Sequence, residues 1–315
     1  MFTLNKKYIL NNFKLPGTNI LVMLNGEYQP QLSDQSNLQF ANQTVTFSKN
    51  MKIETPIHLL FLTARDCHTM FNIIATEGSY TTIIEEHASL GEQIYTSDIK
   101  VNIDAKARSE IVHYKLQFEN ITKSTHRAET NINQETDSKI ISCFINKGAN
   151  ITTDRLWVKL MGEKASYKVR GVNLLSDQQN MTCQICIEHL VPNCISSVLT
   201  KGIIDDRSVS NFDCRVIAHS NAVKTETHVL NKNLLLSEKA VVNTAPELEV
   251  YVDDVTCTHG ATVGELDKEA LFYLRSRGIA KNMAIKILTN AFIQEITTQF
   301  AQYSRYKIAA GLVYE

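Results

Sequence analysis

The chain has 315 residues, enough for one large domain with small appendages and a sizeable core. Its 32 Lys and Arg nearly balance 33 Asp and Glu, a net charge of −1 that offers no global basic field for nucleic acid, while 43% hydrophobic and 21% charged residues are ordinary for a globular protein. No apolar run approaches the ~20 residues of a membrane span, and Met1 to Leu10 lack the apolar core and cleavage site of a signal peptide, so the cytoplasm is the expected compartment.

Residues 1–32 read as an N-terminal segment. Leu4, Ile9, Leu10 and Phe13 among Asn and Lys predict a weakly amphipathic helix stopped by Pro16-Gly17. Asn19 to Leu24, then Asn25-Gly26, then Glu27-Tyr28 predict a hairpin, because Asn-Gly accepts the positive φ angles of a type I′ turn.

Residues 33–255 hold no 3.6-residue apolar period for three turns. Short strand-like runs recur instead, beginning with Leu38 to Phe47 and including Glu110 to Phe118, Lys139 to Ile145, Ile151 to Leu160, Ser166 to Leu175 and Thr225 to Leu230. Their separators are rich in Gly, Asn, Asp and Ser. Many strands without helices between them mean an all-β domain, either a sandwich or a parallel β-helix, and no fixed repeat period separates the two. Seven scattered cysteines, an odd number, suit a reducing compartment better than a disulfide framework. Cys183-Gln-Ile-Cys186 reads as structural, because residues three apart on a strand face opposite ways. Glu85-Glu86-His87 puts Glu85 and His87 on one face and reads as a solvated rung. Asp205-Asp206-Arg207 could be paired carboxylates for glycoside chemistry, but reads as a polar turn. No Walker-type phosphate loop and no Gly-x-Ser-x-Gly elbow occur.

The most informative stretch runs from Pro246 to Gly278. Leu248, Val250 and Val252 alternate with Glu249, Tyr251 and Asp253 as on a half-buried strand. If that strand persists to His259, Cys257 and His259 project from one face. A thiolate and an imidazole aimed at one point suit iron or zinc, but two ligands do not close a tetrahedral site, so the rest would come from elsewhere in the chain or from another subunit. The alternative is a core cysteine beside a histidine that caps the junction, and spacing alone favours it. Residues 256–315 read as a C-terminal helical domain. Asp267 is the expected N-cap, Leu266 and Leu271 a hydrophobic staple, and Gly278 the left-handed cap after Arg275 and Arg277. A second helix is expected from about Asn282, with Met283, Ile287, Leu288, Ala291, Phe292 and Ile296 as its apolar stripe. Two such helices must dock on the β domain or on a partner.

Pro246-Glu-Leu-Glu-Val-Tyr-Val-Asp-Asp-Val-Thr-Cys257, His259-Gly-Ala-Thr-Val-Gly264 and Leu271-Phe-Tyr-Leu-Arg-Ser-Arg-Gly278 resemble the C-terminal signature of the SufB/SufD family, the scaffold subunits of the SUF iron-sulfur cluster assembly system. Asn231-Lys-Asn-Leu-Leu-Leu-Ser237 and Ala222-x-x-Thr225 match in order upstream. Cys257-Thr-His259-Gly260 lacks the acidic residues that flank the histidine in SufB, so the likeness is to SufD. The resemblance implies a right-handed parallel β-helix and a non-enzymatic scaffold that pairs with SufB and the ATPase SufC, and can be a homodimer in isolation. It also implies a transient iron-sulfur cluster at the SufB–SufD interface, with His259 as a metal ligand and Cys257 as its neighbour, and docking of the ATPase on the C-terminal helices. Two departures stand out. Most of a longer helical region before the hairpin is missing, and Cys214 occupies a usual glycine position. The alternative function class is a cytoplasmic β-helix enzyme acting on carbohydrate.

Overall fold

The computed structural model describes residues 6–34 and 39–300; Leu4, Leu38 and everything beyond Phe300 lie outside the described residues. Helix α1 (Lys6–Asn12) precedes strands β1 (Asn19–Leu24), β2 (Glu27–Tyr28), β3 (Gln39–Ala41), β4 (Thr44–Phe47), β5 (Ile57–Thr63) and β6 (Cys67–Ala75). Then come β7 (Tyr80–Ser89), β8 (Tyr95–Ala105), β9 (Glu110–Phe118), β10 (Ser124–Gln134), β11 (Lys139–Asn146), β12 (Ile151–Leu160) and β13 (Ser166–Leu175). The strands end with β14 (Asn180–His189), β15 (Ile195–Ile204), β16 (Val209–Ala218), β17 (Thr225–Leu235), β18 (Val241–Val250) and β19 (Val255–Glu265), and helices α2 (Lys268–Ser276) and α3 (Lys281–Thr297) follow.

From β4 onward the chain alternates between two sheets. One runs β19-β17-β15-β13-β11-β9-β7-β5-β1-β2 and the other β18-β16-β14-β12-β10-β8-β6-β4-β3. Among the described residues every rung-to-rung pairing is parallel, and only the hairpins β1–β2 and β3–β4 are antiparallel. The result is a parallel β-solenoid of about eight turns, as the family resemblance implied. His126 pairs with Thr152, Thr152 with Met181, Met181 with Ser210 and Ser210 with Val242. The steps, by subtraction, are 26, 29, 29 and 32 residues, so a turn has no constant length and no period was legible.

Inward positions alternate with outward ones along each strand, and the inward side chains stack into one long core from Leu21 to Ala240. The tight turns take positive φ: the Asn25-Gly26 hairpin forms as predicted (φ 48° and 83°), and Asp177 and Asp206 (53° and 51°) show the polar-turn reading at Asp205-Asp206 to be the right one. Gly171 faces inward, where a Cβ would fall 1.9 Å from the Phe144 ring, so only glycine lets that ring fill the core.

The outer face of the ten-stranded sheet is covered twice. Ile9 of α1 packs with Ile20, Val22, Leu60 and Leu62, and Ile293, Ile296 and Phe300 pack on Tyr114, Leu116, Cys143, Val172, Leu199 and Ile203. Lys201 pins α3 by donating to the Phe292 carbonyl (2.7 Å) and the Glu295 carboxylate (3.0 Å). Each such apolar side chain buried contributes about 1.5–3 kcal/mol. No helix among the described residues is long and apolar enough to cross a membrane.

Several expectations need correction. The strand at Leu248 does not persist to His259. It ends at Val250, and after Tyr251–Asp254 the chain enters the other sheet as β19, so residues through Glu265 are solenoid rather than helical tail and the boundary at 255 falls inside it. At the other end, β1 of the N-terminal segment pairs in parallel with β5 and is a true rung. Strand β10 was not expected at all. Glu85, Glu86 and His87 form no solvated rung but are buried at 1% exposure or less. On α3 the buried residues are Ala284, Thr289, Ile293 and Ile296, so Met283 and Ile287 of the expected stripe face solvent.

Candidate functional site

The site expected at Cys257 and His259 is built by β19 on β17. Cys257 pairs with Thr227, His259 with Val229 and Ala261 with Asn231. Those three partners are buried, Val229 within the main core. Partners in a parallel ladder point to the same side, so Cys257 and His259 point into the solenoid. Yet His259 is exposed and Cys257 only half-buried, because β18 and β19 are the last strands of their sheets and no rung lies over them among the described residues. Burial pushes the Cys257 thiol up. The inward side of β18, aligned with Ser210, Phe212, Cys214 and Val216, consists of Val242, Thr244, Pro246 and Leu248. The open mouth therefore has an apolar wall opposite a thiol and an imidazole.

Below that mouth the interior is ordered. The hydroxyls of Thr227 and Ser196 bond at 2.7 Å, and Ser196 bonds to Nε2 of His189 at 2.8 Å. His189 is fully buried, and burial pushes it down to about 4, so it is neutral. On the opposite face of β19, Thr258 bonds to Nδ1 of His228 at 2.8 Å, and Gly260 lies over Leu230. Gly260 is therefore on the far side from His259, and a Cβ there would meet Leu230 at an ordinary 3.5 Å. It does not open the site, contrary to its position next to His259 in sequence.

Cys214 proves to be an interior thiol at 0% exposure, raised to about 12 by burial and capped by Pro246 on the next rung. Cys183 lies in the core with it, whereas Cys186, beside Arg215, is on the other face, as the strand reading of Cys183-Gln-Ile-Cys186 required. Among the described residues no three Cys, His, Asp or Glu side chains are placed to hold a metal ion together.

A second surface lies on the helices. Asp267 caps α2 through its carboxylate, which accepts from Glu269 N (2.8 Å) and Ala270 N (3.1 Å), and Gly278 takes φ 85° after it, as predicted. Helix α2 buries nothing: Phe272 is 74% and Tyr273 58% exposed, and Met283 of the neighbouring α3 is 53% exposed. The sequence did not reveal the ionic interior around Glu85 and Glu119, whose only visible signal was an excess of polar residues in strand-length segments.

Residues 63–292, from the end of β5 into α3, match the SufBD core domain described for SUF-system iron-sulfur cluster assembly. The chain is 32% identical over 230 residues to the iron-sulfur cluster assembly protein SufD of Escherichia coli, covering 73% of this chain and 54% of that protein. It is 30% identical over 281 residues to an iron-sulfur cluster assembly SufBD family protein of Synechocystis, covering 84% and 62%. It is 26% identical over 263 residues to the chloroplastic protein ABCI7 of Arabidopsis thaliana, covering 79% and 55%. The chain thus spans between half and two thirds of the length of these relatives. A domain match across more than two thirds of the chain, together with 32% identity to the Escherichia coli SufD, shows that the chain belongs to the SufB/SufD family of the SUF system and is of the SufD type.

Proposed function

We propose that this chain is a non-enzymatic scaffold subunit for iron-sulfur cluster assembly, and that it offers His259, with Cys257 beside it, as ligands to a transient cluster completed by SufB. The observation that carries this reading is an inward-facing thiol and imidazole on a last rung over which no further strand lies among the described residues. A cluster held there is cargo, and an incomplete ligand pair at an open mouth invites completion in trans and permits release. The imidazole is the better lead of the two: it is exposed at the mouth, and a neutral histidine binds iron reversibly. The apolar wall of Val242, Pro246 and Leu248 and the edges of β18 and β19, which no strand among the described residues pairs, suit a partner solenoid laid against the same end. The exposed Phe272, Tyr273 and Met283 surface suits docking of the ATPase SufC.

Anaerobic reconstitution of the complex with iron and sulfide tests the reading. His259→Ala should leave the complex assembled and sharply reduce the cluster chromophore. Normal cluster formation by a variant complex of unchanged stoichiometry would overturn the assignment, and loss of the complex would favour a structural role for the histidine.

A further inference from the structure

The interior of the solenoid between β7 and β12 is ionic rather than apolar. The Glu85 carboxylate accepts from Nε2 of His87 (2.7 Å) and from Nε2 of His113 (2.9 Å). The Glu119 carboxylate accepts from Nδ1 of His126 (2.6 Å), the hydroxyls of Ser97 (2.9 Å) and Tyr95 (3.0 Å), and the Gln117 amide (3.1 Å). Lys115 donates to Asp154 at 2.6 Å. The two carboxylate groups adjoin where the His87 and His126 rings meet edge to face at 4.8 Å, and the other face of His87 stacks on Phe61 at 5.0 Å. None of these carboxylate, imidazole, ammonium and phenol groups belongs to a residue more than 7% exposed. Further titratable groups that face the cluster are the thiols of Cys67 and Cys183 and the hydroxyls of Tyr95 and Tyr167, all four raised by burial.

Charge must balance in such a place, because an uncompensated ion in a low-dielectric interior costs several kcal/mol. Lys115 offsets Asp154. For Glu85 and Glu119 burial acts to raise the carboxyls, but the histidine hydrogen bonds and nearby positive charge outweigh it, so both stay ionised, Glu119 at about 2. Among the described residues Lys115, which also acts on Glu85, is the other cation beside these three carboxylates, so the two further positive charges that balance them come from the three imidazoles. His87 is the neutral one: burial pushes it down, and a second cation on it would face the His126 ring.

Strand β9 has a second duty. His113, Lys115 and Gln117 point inward, while Tyr114 and Leu116 between them point outward under α3, with the Tyr114 and Phe300 rings 5.1 Å apart. We propose that Glu85, Glu119, His87, His113 and His126 form a buried store of two protons, held at neutral pH, and that α3 stays seated on β9 only while those protons are held. The five groups titrate as a unit. Imidazolium charges that balance buried carboxylates stabilise the fold below the cluster's titration, and that stability is lost as pH rises through it. Loss of the protons leaves two interior anions that draw in water. A cavity of about 30 Å³ lined by His113, Lys115, Thr130 and Asp154, room for roughly one molecule, already adjoins them.

Imidazole ¹⁵N spectra of the full chain at pH 7, assigned with His87→Gln, His113→Gln and His126→Gln, count the protons directly. Two of the three interior histidines should give imidazolium signals, and Glu119→Gln should remove one of them. If Glu119→Gln does not fold, Glu85→Gln supplies the same comparison. None, one or three imidazolium signals in the native chain would overturn the store, as would an unchanged count in a folded carboxamide variant. Hydrogen exchange of the α3 amides, corrected for the intrinsic rate, should accelerate on the alkaline side as the imidazolium signals vanish. Unchanged α3 protection through that loss would remove the coupling to the helix seat.

Discussion

The middle and the last rung of this solenoid use histidine in opposite ways. Between β7 and β12 His87, His113 and His126 are sealed inside, each against a carboxylate at 2.6–2.9 Å. On the last rung His259 points into the same interior but, among the described residues, has no rung above it. A buried and paired imidazole is committed to its own fold, and removing its partner costs stability. An inward-facing imidazole at an open mouth contributes little to the fold and remains available to something that arrives. The difference separates the two kinds of site more sharply than residue type does, since both contain the same side chain on the same kind of strand.

Breaking a sealed pair should cost the fold most. Glu85→Ala strands two imidazoles without their shared acceptor and should lower the unfolding free energy by about 3–5 kcal/mol, measured by denaturant titration. A loss under 1 kcal/mol would show that the interior is not the ionic core described. The acid limb sharpens the same point. Glu119 is held at about 2 against an ordinary 4.5, and a carboxyl with a depressed folded value stabilises the fold above its unfolded value and loses that contribution as pH falls toward the folded one. Stability should therefore decline between about pH 4.5 and pH 2 by roughly 3 kcal/mol through this one group, at about 1.4 kcal/mol for each pKa unit. Glu119→Gln should flatten that limb, and an unaltered acid slope in the folded variant would count against it.

At the open end the expected signs reverse. His259→Ala should change unfolding free energy by less than about 0.5 kcal/mol while abolishing most cluster formation in the complex. Cys257→Ala, at a half-buried position, should reduce cluster formation less. For the helical surface, the paired change Phe272→Ser and Tyr273→Ser should weaken ATPase binding in a pull-down without altering the melting of the chain, because α2 buries nothing. Deleting the whole tail is a poorer test: Ile293, Ile296 and Phe300 cover the sheet, and removing them would expose Tyr114, Leu116 and Cys143.

Those contrasts also explain what could be read in the sequence. Strands with several apolar inward positions, such as Leu156, Val158 and Leu160 of Ile151–Leu160 and Tyr167, Val169 and Leu175 of Ser166–Leu175, were legible to the residue, and so were the Asn25-Gly26 turn and the Asp267 cap. Strand β10 was invisible because its inward residues are Ser124, His126, Ala128, Thr130, Ile132 and Gln134, a set in which only Ile132 is strongly apolar. The ionic interior hid the strand and itself together, since alternation is read from hydrophobicity and the core there is polar. Glu85-Glu86-His87 was misplaced for the same reason: nothing in one strand shows that His113, 28 residues on, will close over Glu85. Cys257 and His259 were correctly put on one face, but whether that face is inside or outside depends on the break at Tyr251–Asp254, which local alternation did not reveal.

The smallest expected effect tests that inside–outside assignment. Gly260 lies between His259 and Ala261 in sequence but on the outer face of β19, where an added methyl meets only Leu230 at 3.5 Å. Its backbone shows no positive φ, so a side chain causes no conformational strain. Gly260→Ala should therefore leave cluster formation unchanged and shift the unfolding free energy by no more than about 1 kcal/mol, in the stabilising direction, because alanine loses less backbone freedom on folding. If residue 260 instead lined the mouth beside His259, the methyl would crowd the cluster and reduce its formation to the extent that His259→Ala does. Equal losses from the two substitutions would thus place both residues on one surface and reverse the orientation of the last rung; normal cluster assembly by Gly260→Ala alone keeps the imidazole pointing into the solenoid.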